Sequence, residues 1–183
     1  MTEPTYIPLL NSIAVNECKG EALLSAWADA TPDAALEGVL RFVAIREGEH
    51  AAAFTKRLCE LGHAVCEDTA YQVFDDFEGL RAFLASGASD ADKVARFRGG
   101  DGDGKDPFRG FFNDTTIDPE TGALLGRYIC EERDSGRRLD AEYQRICAAA
   151  GDAGAEDEIA ALTAKIDALA SQIAELKALR SVA

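Results

Sequence analysis

Two ionisable side chains stand out in the middle of a long predicted helix, Glu47 and His50. Steps of three and four residues draw a single stripe down this helix, and the other members of the stripe are apolar. The stripe consists of Leu36, Leu40, Val43, Glu47, His50, Phe54, Leu58 and Leu61. Because burying an unpaired carboxylate is costly, both side chains need partners. A metal ion would serve both; otherwise an arginine would pair with Glu47 and a hydrogen bond would satisfy His50.

The preceding helix, from about Leu9 or Asn11 to Ala30, has its own inward carboxylate. Its stripe is Leu10, Ile13, Glu17, Gly20, Leu24 and Trp27. The break at residues 31–33 makes Thr31 a plausible N-cap and Pro32 a plausible first helical residue of the next helix. So short a turn makes the two helices antiparallel. Glu17 and Glu47 each lie 15 residues from Pro32, so we expect Glu17 to face Glu47 and His50 as a third metal ligand.

A further helix is predicted from about residue 118, where Asp118 is a good capping residue, to Ala149. Its stripe is Leu125, Tyr128, Glu132, Ser135, Leu139, Tyr143 and Ile146. Aligned with the second helix, Glu132 takes the place of Glu47 and Ser135 the place of His50, as in a weak internal repeat. Glu132 is therefore a candidate fourth ligand, unless it is a counter-charge for a neighbouring arginine.

Between these segments the sequence is less regular. Residues 73–84 predict a short amphipathic helix with Val73 and Phe77 on its apolar face, and residues 90–98 predict another. Residues 99–117 form a flexible acidic loop by composition. Their likeness to a calcium loop fails, because Lys105 and Phe112 occupy ligand positions.

Composition limits the function further. The 183 residues carry a net charge of −14, which argues against nucleic acid or an anionic membrane as partner. No signal peptide and no spanning apolar run is evident. The five cysteines are odd in number and scattered over predicted helices, which favours reduced core thiols in a cytoplasmic protein. They are Cys18, Cys59, Cys66, Cys130 and Cys147.

The C-terminal segment differs in kind from the rest. A small polar break at residues 151–155 separates a domain of residues 1–150 from a helix in 151–183. Its seam is Ile159, Leu162, Ile166, Leu169, Ile173 and Leu176. Isoleucine alternating with leucine favours a parallel two-stranded coiled coil, hence a homodimer through residues 159–176. The alternative is that the seam packs on the main bundle.

The pattern of Glu17 followed by Glu47-x-x-His50 in Arg-Glu-Gly-Glu-His-Ala-Ala-Ala-Phe resembles the first half of the ferritin-like superfamily, nearest its rubrerythrin-type members. Encapsulated ferritins, single hairpins that complete their site across a dimer, are similar. The resemblance covers residues 9–62 well and 118–149 loosely. It implies an all-α antiparallel four-helix bundle with a carboxylate-bridged site, usually di-iron, that reacts with oxygen or peroxide. Glu17, Glu47, His50 and Glu132 would be its ligands.

The sequence also departs from that family. Ser135 stands where a second histidine belongs, and the short helix near Phe77 has no inward carboxylate. Three explanations stay open: a single divalent metal, a site completed by pairing hairpins across a dimer, or a decayed site. The expected function is ferroxidase or peroxide-reducing activity. The alternative is a non-catalytic helical scaffold that assembles through its coiled coil.

Overall fold

The computed structural model describes the backbone of residues 5–98 and 115–180, and the side chains of the last helix as far as residue 151 and at position 163. The described residues are helical and contain no strand, which confirms the predicted all-α class. The helices are α1 (Ile7–Ala30), α2 (Ala34–Glu60), α3 (Phe77–Leu84), α4 (Asp90–Arg98) and α5 (Pro119–Arg180), with a 3-10 turn at Glu67–Thr69. The chain divides into two compact units, Met1–Tyr143 and Gln144–Ala183.

The core of the first unit is built from the predicted apolar stripes. The stripe residues of α1 and α2 are buried on both sides of Glu17 and His50, and Leu125, Tyr128 and Tyr143 of α5 are buried with them. Tyr6, Leu10, Phe54, Leu58, Leu125 and Tyr128 belong to one hydrophobic cluster. Burial of such side chains stabilises the fold by about 1.5–3 kcal/mol each. The two ionisable residues therefore lie between well-packed apolar layers.

The turn between α1 and α2 differs from the prediction. Asp33, not Thr31, is the N-cap of α2, because its Oδ1 accepts hydrogen bonds from the backbone N–H groups of Ala35 (3.0 Å) and Leu36 (2.9 Å). A carboxylate also suits the positive end of a helix dipole. The Thr31 hydroxyl instead donates to Asp90 Oδ2 at 2.6 Å. The other end of α2 is as predicted, since Gly62 follows it with a φ of 85° that favours glycine.

The start of α5 is fixed to α2 and to Tyr6, the N-cap residue of α1, by one partly buried network. Asp118 caps α5 as predicted, accepting from the N–H groups of Glu120 and Thr121. Arg57 Nη2 donates to Asp118 Oδ1 at 2.9 Å and Arg57 Nε to Thr121 Oγ1 at 2.8 Å, while the Tyr6 hydroxyl donates to Asp118 Oδ2. Burial raises the pKa of Asp118, but these hydrogen bonds outweigh it and hold that pKa well below its usual range. The network sets the height of α5 along the hairpin.

Three smaller predictions were wrong. The third helix begins at Phe77, so Val73 lies outside it and is exposed. The five cysteines are free thiols, as predicted, but all lie on exposed positions rather than in the core. The break at residues 151–155 is absent, because the helix continues through it. Each helical glycine costs about 1 kcal/mol relative to alanine, and the surrounding alanines, the best helix formers, favour continuation.

Two predictions fall outside what the structure describes. The acidic loop of residues 99–117 lies almost entirely outside the described residues, and so do the seam side chains of residues 159–176. The coiled-coil dimer therefore stays a prediction. Along the described helices, no stretch is both long and apolar enough to cross a membrane.

Candidate metal centre

Three of the four predicted ligands converge from three different helices. Glu17 of α1, His50 of α2 and Glu132 of α5 each present a ligand atom within 4.8 Å of the others. His50 Nδ1 lies 3.1 Å from Glu17 Oε2 and 3.4 Å from Glu132 Oε1. Glu17 and His50 are only 6% and 4% exposed. We call these three residues the carboxylate–histidine cluster.

Glu47, the fourth predicted ligand, lies beside this cluster. A Cβ atom built on Gly20 would be 2.7 Å from Glu47 Oε2, so the glycine leaves room for that carboxyl group against α1. Burial and the charges of Glu17 and Glu132 raise the pKa of Glu47 to about 10. In the metal-free protein at neutral pH, Glu47 is therefore a neutral carboxylic acid.

Two more residues of α5 complete the surroundings: Glu131, which the sequence pattern did not select, and Tyr128, which it selected only as part of the apolar stripe. Glu131 Oε2 lies 2.9 Å from His50 Nε2, and Glu131 Oε1 accepts from Arg127 Nε at 2.9 Å. The Tyr128 hydroxyl donates to Glu17 Oε1 at 2.7 Å. Glu131 was missed because the stripe of α5 was followed through Glu132 alone. Positions three and four residues after Tyr128 lie on the same side of a helix, and that spacing was the available signal.

Ser135, the counterpart of His50 in the internal repeat, is bound to an arginine instead. It is buried, and its Oγ accepts from Arg46 Nη1 at 3.1 Å. The same nitrogen donates to the Glu131 carbonyl and pairs with Asp134. The second half of the repeat thus adds no second nitrogen ligand, and the cluster has one histidine.

The carboxylates of the cluster outnumber its cationic side chains. Among the described residues, no arginine or lysine forms an ion pair with Glu17, Glu47 or Glu132, so His50 is their only cationic neighbour. Burial lowers the pKa of His50, but the carboxylates of Glu132, Glu17 and Glu131 around the ring outweigh it and raise that pKa to about 10. At neutral pH the metal-free site therefore holds two protons that a metal could displace, the one that makes His50 an imidazolium and the one on the adjacent Glu47.

The residues present fit a metal ion. Two ligand atoms that each lie about 2.0–2.2 Å from one ion are about 2.8–3.6 Å apart in octahedral or tetrahedral geometry, and the two distances from His50 Nδ1, 3.1 and 3.4 Å, fall in that range. Glu132 Oε1 is buried without a hydrogen-bond partner, so an ion would satisfy it. Metal-ligating histidines usually donate their other N–H to a carboxylate, and Glu131 occupies that position.

Comparison with protein-family models, with curated proteins and with solved structures found no match to this chain. The function of the centre therefore has to be argued from its own residues. The ferritin-like resemblance stays a prediction.

The protonated cluster predicts how stability depends on pH. In the folded metal-free protein Glu47 and His50 both have a pKa of about 10, against ordinary values of 4.5 and 6.5. Between those limits the folded state binds more protons than the unfolded state, so the free energy of unfolding decreases as pH rises. The contributions of Glu47 and His50 to the free energy of unfolding are fully present below their ordinary pKa values and are lost as pH rises through about 10.

Urea unfolding of chelator-treated protein, from neutral pH to about pH 10, measures this decrease. The Glu47→Gln protein is the control, because it cannot lose the proton and its profile should be flatter. A wild-type stability that rises over this range would contradict the protonation of Glu47 and His50.

Proposed function

We propose that this chain is a ferritin-like metal-binding protein whose carboxylate–histidine cluster holds one divalent ion, iron in the first instance. The contact between His50 Nε2 and Glu131 is the observation that carries the proposal. It leaves Nδ1 directed at Glu17 and Glu132, and it gives the ring the carboxylate partner that metal-ligating histidines use. Arg127 in turn pairs with Glu131, so two residues outside the cluster fix the orientation of the His50 ring.

Charge balance supports a metal over a simple ion pair. Replacing the protons of His50 and Glu47 with one divalent cation leaves the total charge of the site unchanged. The exchange would leave a neutral imidazole and ionised carboxylates, which are the forms that bind metals. An ion pair alone leaves Glu132 Oε1 without a hydrogen bond, since His50 Nδ1 lies 3.4 Å away and donates to Glu17 instead. A buried polar atom without a partner costs about 1–3 kcal/mol.

The donor set is one imidazole nitrogen with carboxylate oxygens, which suits Fe(II) or Mn(II) better than softer ions. When bound, iron would exchange single electrons with oxygen or peroxide, the chemistry that the ferritin-like resemblance implies. The chain's own residues orient the ligands and hold protons. Tyr128 fixes the carboxylate of Glu17, and the carboxyl group of Glu47 keeps a proton next to the ligands.

Anaerobic titration of the chelator-treated protein with Fe(II) tests the proposal. We expect saturation near one iron per chain, with oxygen consumption when air is admitted. Glu131→Gln removes the carboxylate charge behind the histidine and should weaken iron binding about 10–100-fold. Asp134→Asn is the matched control, because Asp134 lies on the same helix but pairs with Arg46 and Arg138.

The outcomes separate the parts of the proposal. Iron binding equal in wild-type and Glu131→Gln protein would contradict the assignment of His50 as a ligand. Iron binding without oxygen consumption would retain the metal site and reject the ferroxidase reaction. Saturation at two ions per chain would reject the single-ion site.

A further inference from the structure

A large cavity opens onto the carboxylates of the proposed metal site. Its volume is about 610 Å³, within the range of about 300–1,000 Å³ typical of small-molecule sites. Its walls are mainly apolar and come from α1, α2, α4, α5 and the segment before α3. The apolar walls include Leu9, Ile13, Leu24, Phe74, Phe97 and Leu139. Glu17, Glu47 and Glu132 also line it. We call it the apolar cavity.

The polar residues of α1 that line the cavity are already occupied. Asn16 Nδ2 donates to the Tyr71 carbonyl at 2.7 Å, and Asn16 Oδ1 accepts from the Val73 N–H at 3.1 Å. Ser12 Oγ accepts from the Tyr71 N–H at 3.0 Å. These bonds hold the segment of residues 71–73 against α1. Ser12 and Asn16 therefore use their hydrogen-bonding groups within the protein and are not the groups that would bind a ligand.

The polar end of the cavity favours a ligand that donates a hydrogen bond. Glu132 lines this end, its side chain is 34% exposed, and its Oε1 has no hydrogen bond, only His50 Nδ1 at 3.4 Å. The Tyr128 hydroxyl, which also lines the cavity, already donates to Glu17. A ligand head that donates a hydrogen bond would satisfy Glu132, whereas a carboxylate head would meet like charges.

We propose that the apolar cavity binds a small organic molecule with an apolar body and a hydrogen-bond-donating head, a primary amine or alcohol. The body lies against Ile13, Leu24 and Phe97, and the head donates to the Glu132 carboxylate where it lines the cavity. This inference goes beyond the proposed metal site and does not require it. The two share Glu132, so a bound metal and the ligand head would compete for that carboxylate.

Titration of chelator-treated protein with decylamine, decanol and decanoate tests the proposal. Trp27 is the only tryptophan of the chain, and its ring centroid lies 6.0 Å from that of Phe97, which lines the cavity. Its fluorescence should respond to binding, and calorimetry gives the affinities independently. We expect decylamine and decanol to bind, and decanoate to bind at least about tenfold more weakly, since a like charge at the polar end costs more than 1.4 kcal/mol.

Leu139→Phe and Leu124→Phe form a matched pair of variants. Both leucines are half-buried on α5, but only Leu139 lines the apolar cavity. Leu139→Phe should weaken decylamine binding severalfold and Leu124→Phe should not. Failure of the wild-type protein to bind either donor-headed probe, or equal affinities of the two variants, would overturn the cavity site. Equal affinities for decylamine and decanoate would overturn the assignment of the head. Because all titrations use metal-free protein, failure of the metal proposal would not change them.

Discussion

His50→Ala protein should retain less than about a tenth of the wild-type affinity for Fe(II). Mutating a residue that only hydrogen-bonds to a metal ligand already lowers metal affinity about 10–100-fold, and His50 is itself a proposed ligand. His50 supplies the only nitrogen of the carboxylate–histidine cluster. The neighbouring Ser135 cannot replace it, because Arg46 occupies its hydroxyl. The carboxylates left behind would hold a divalent ion only through oxygen, in a site built around a buried imidazole. Iron titration under anaerobic conditions measures the loss.

Stability alone would not test this prediction. Removing His50 also leaves Glu17 buried without its cationic partner, and breaking a buried pair costs about 3–5 kcal/mol with or without a metal. The free energy of unfolding should therefore fall in either case. Glu49→Ala is the control, because Glu49 is adjacent in sequence but exposed and outside the cluster. If His50→Ala lowers stability while the stoichiometry and affinity for iron stay at wild-type values, the cluster is a structural ion pair.

Hydrophobic periodicity predicted most of the scaffold. The stripes of α1 and α2, with Glu17 and Glu47 equidistant from Pro32, placed the two helices at the right relative height, so that Glu17 contacts His50. Periodicity works here because one face of each long helix must be buried. It also selected Glu132, whose half-exposed carboxyl group reaches His50.

Periodicity could not predict which way the ends of side chains turn. Glu131 lies at the edge of the stripe, yet its long side chain reaches His50 Nε2. The pairing of Ser135 with Arg46 likewise depends on a contact between α2 and α5 that one-helix patterns do not contain. The sequence predicts a break at Gly151, but α5 continues through it, because the alanines around it favour helix enough to offset the small cost of glycine. These features are set by tertiary geometry or by small free-energy differences.

Glu47→Gln should separate metal affinity from stability. In the metal-free protein Glu47 is already protonated at neutral pH, and glutamine has nearly the same shape and the same ability to donate and accept hydrogen bonds. The free energy of unfolding of the metal-free protein should therefore already exceed that of wild type at neutral pH, where only the unfolded wild-type chain ionises Glu47, and the difference should grow toward pH 10. Iron binding should weaken about tenfold or more. In wild type Glu47 loses its proton when the ion binds and becomes a negatively charged carboxylate, whereas glutamine stays neutral.

The number of released protons gives this prediction a second readout. Wild-type protein should release protons from both Glu47 and His50 as the ion binds, so its iron affinity should rise with pH. The Glu47→Gln protein should release about one proton fewer, since a carboxamide has none to lose. Calorimetry in buffers with different heats of ionisation measures that difference directly. Glu21→Gln is the matched control, because Glu21 is an exposed acid on α1 whose carboxylate lies close to Gly48 rather than in the cluster. Equal proton release by wild-type and Glu47→Gln protein would show that Glu47 keeps its proton when metal binds, and would reduce the ligands among the described residues to Glu17, His50 and Glu132.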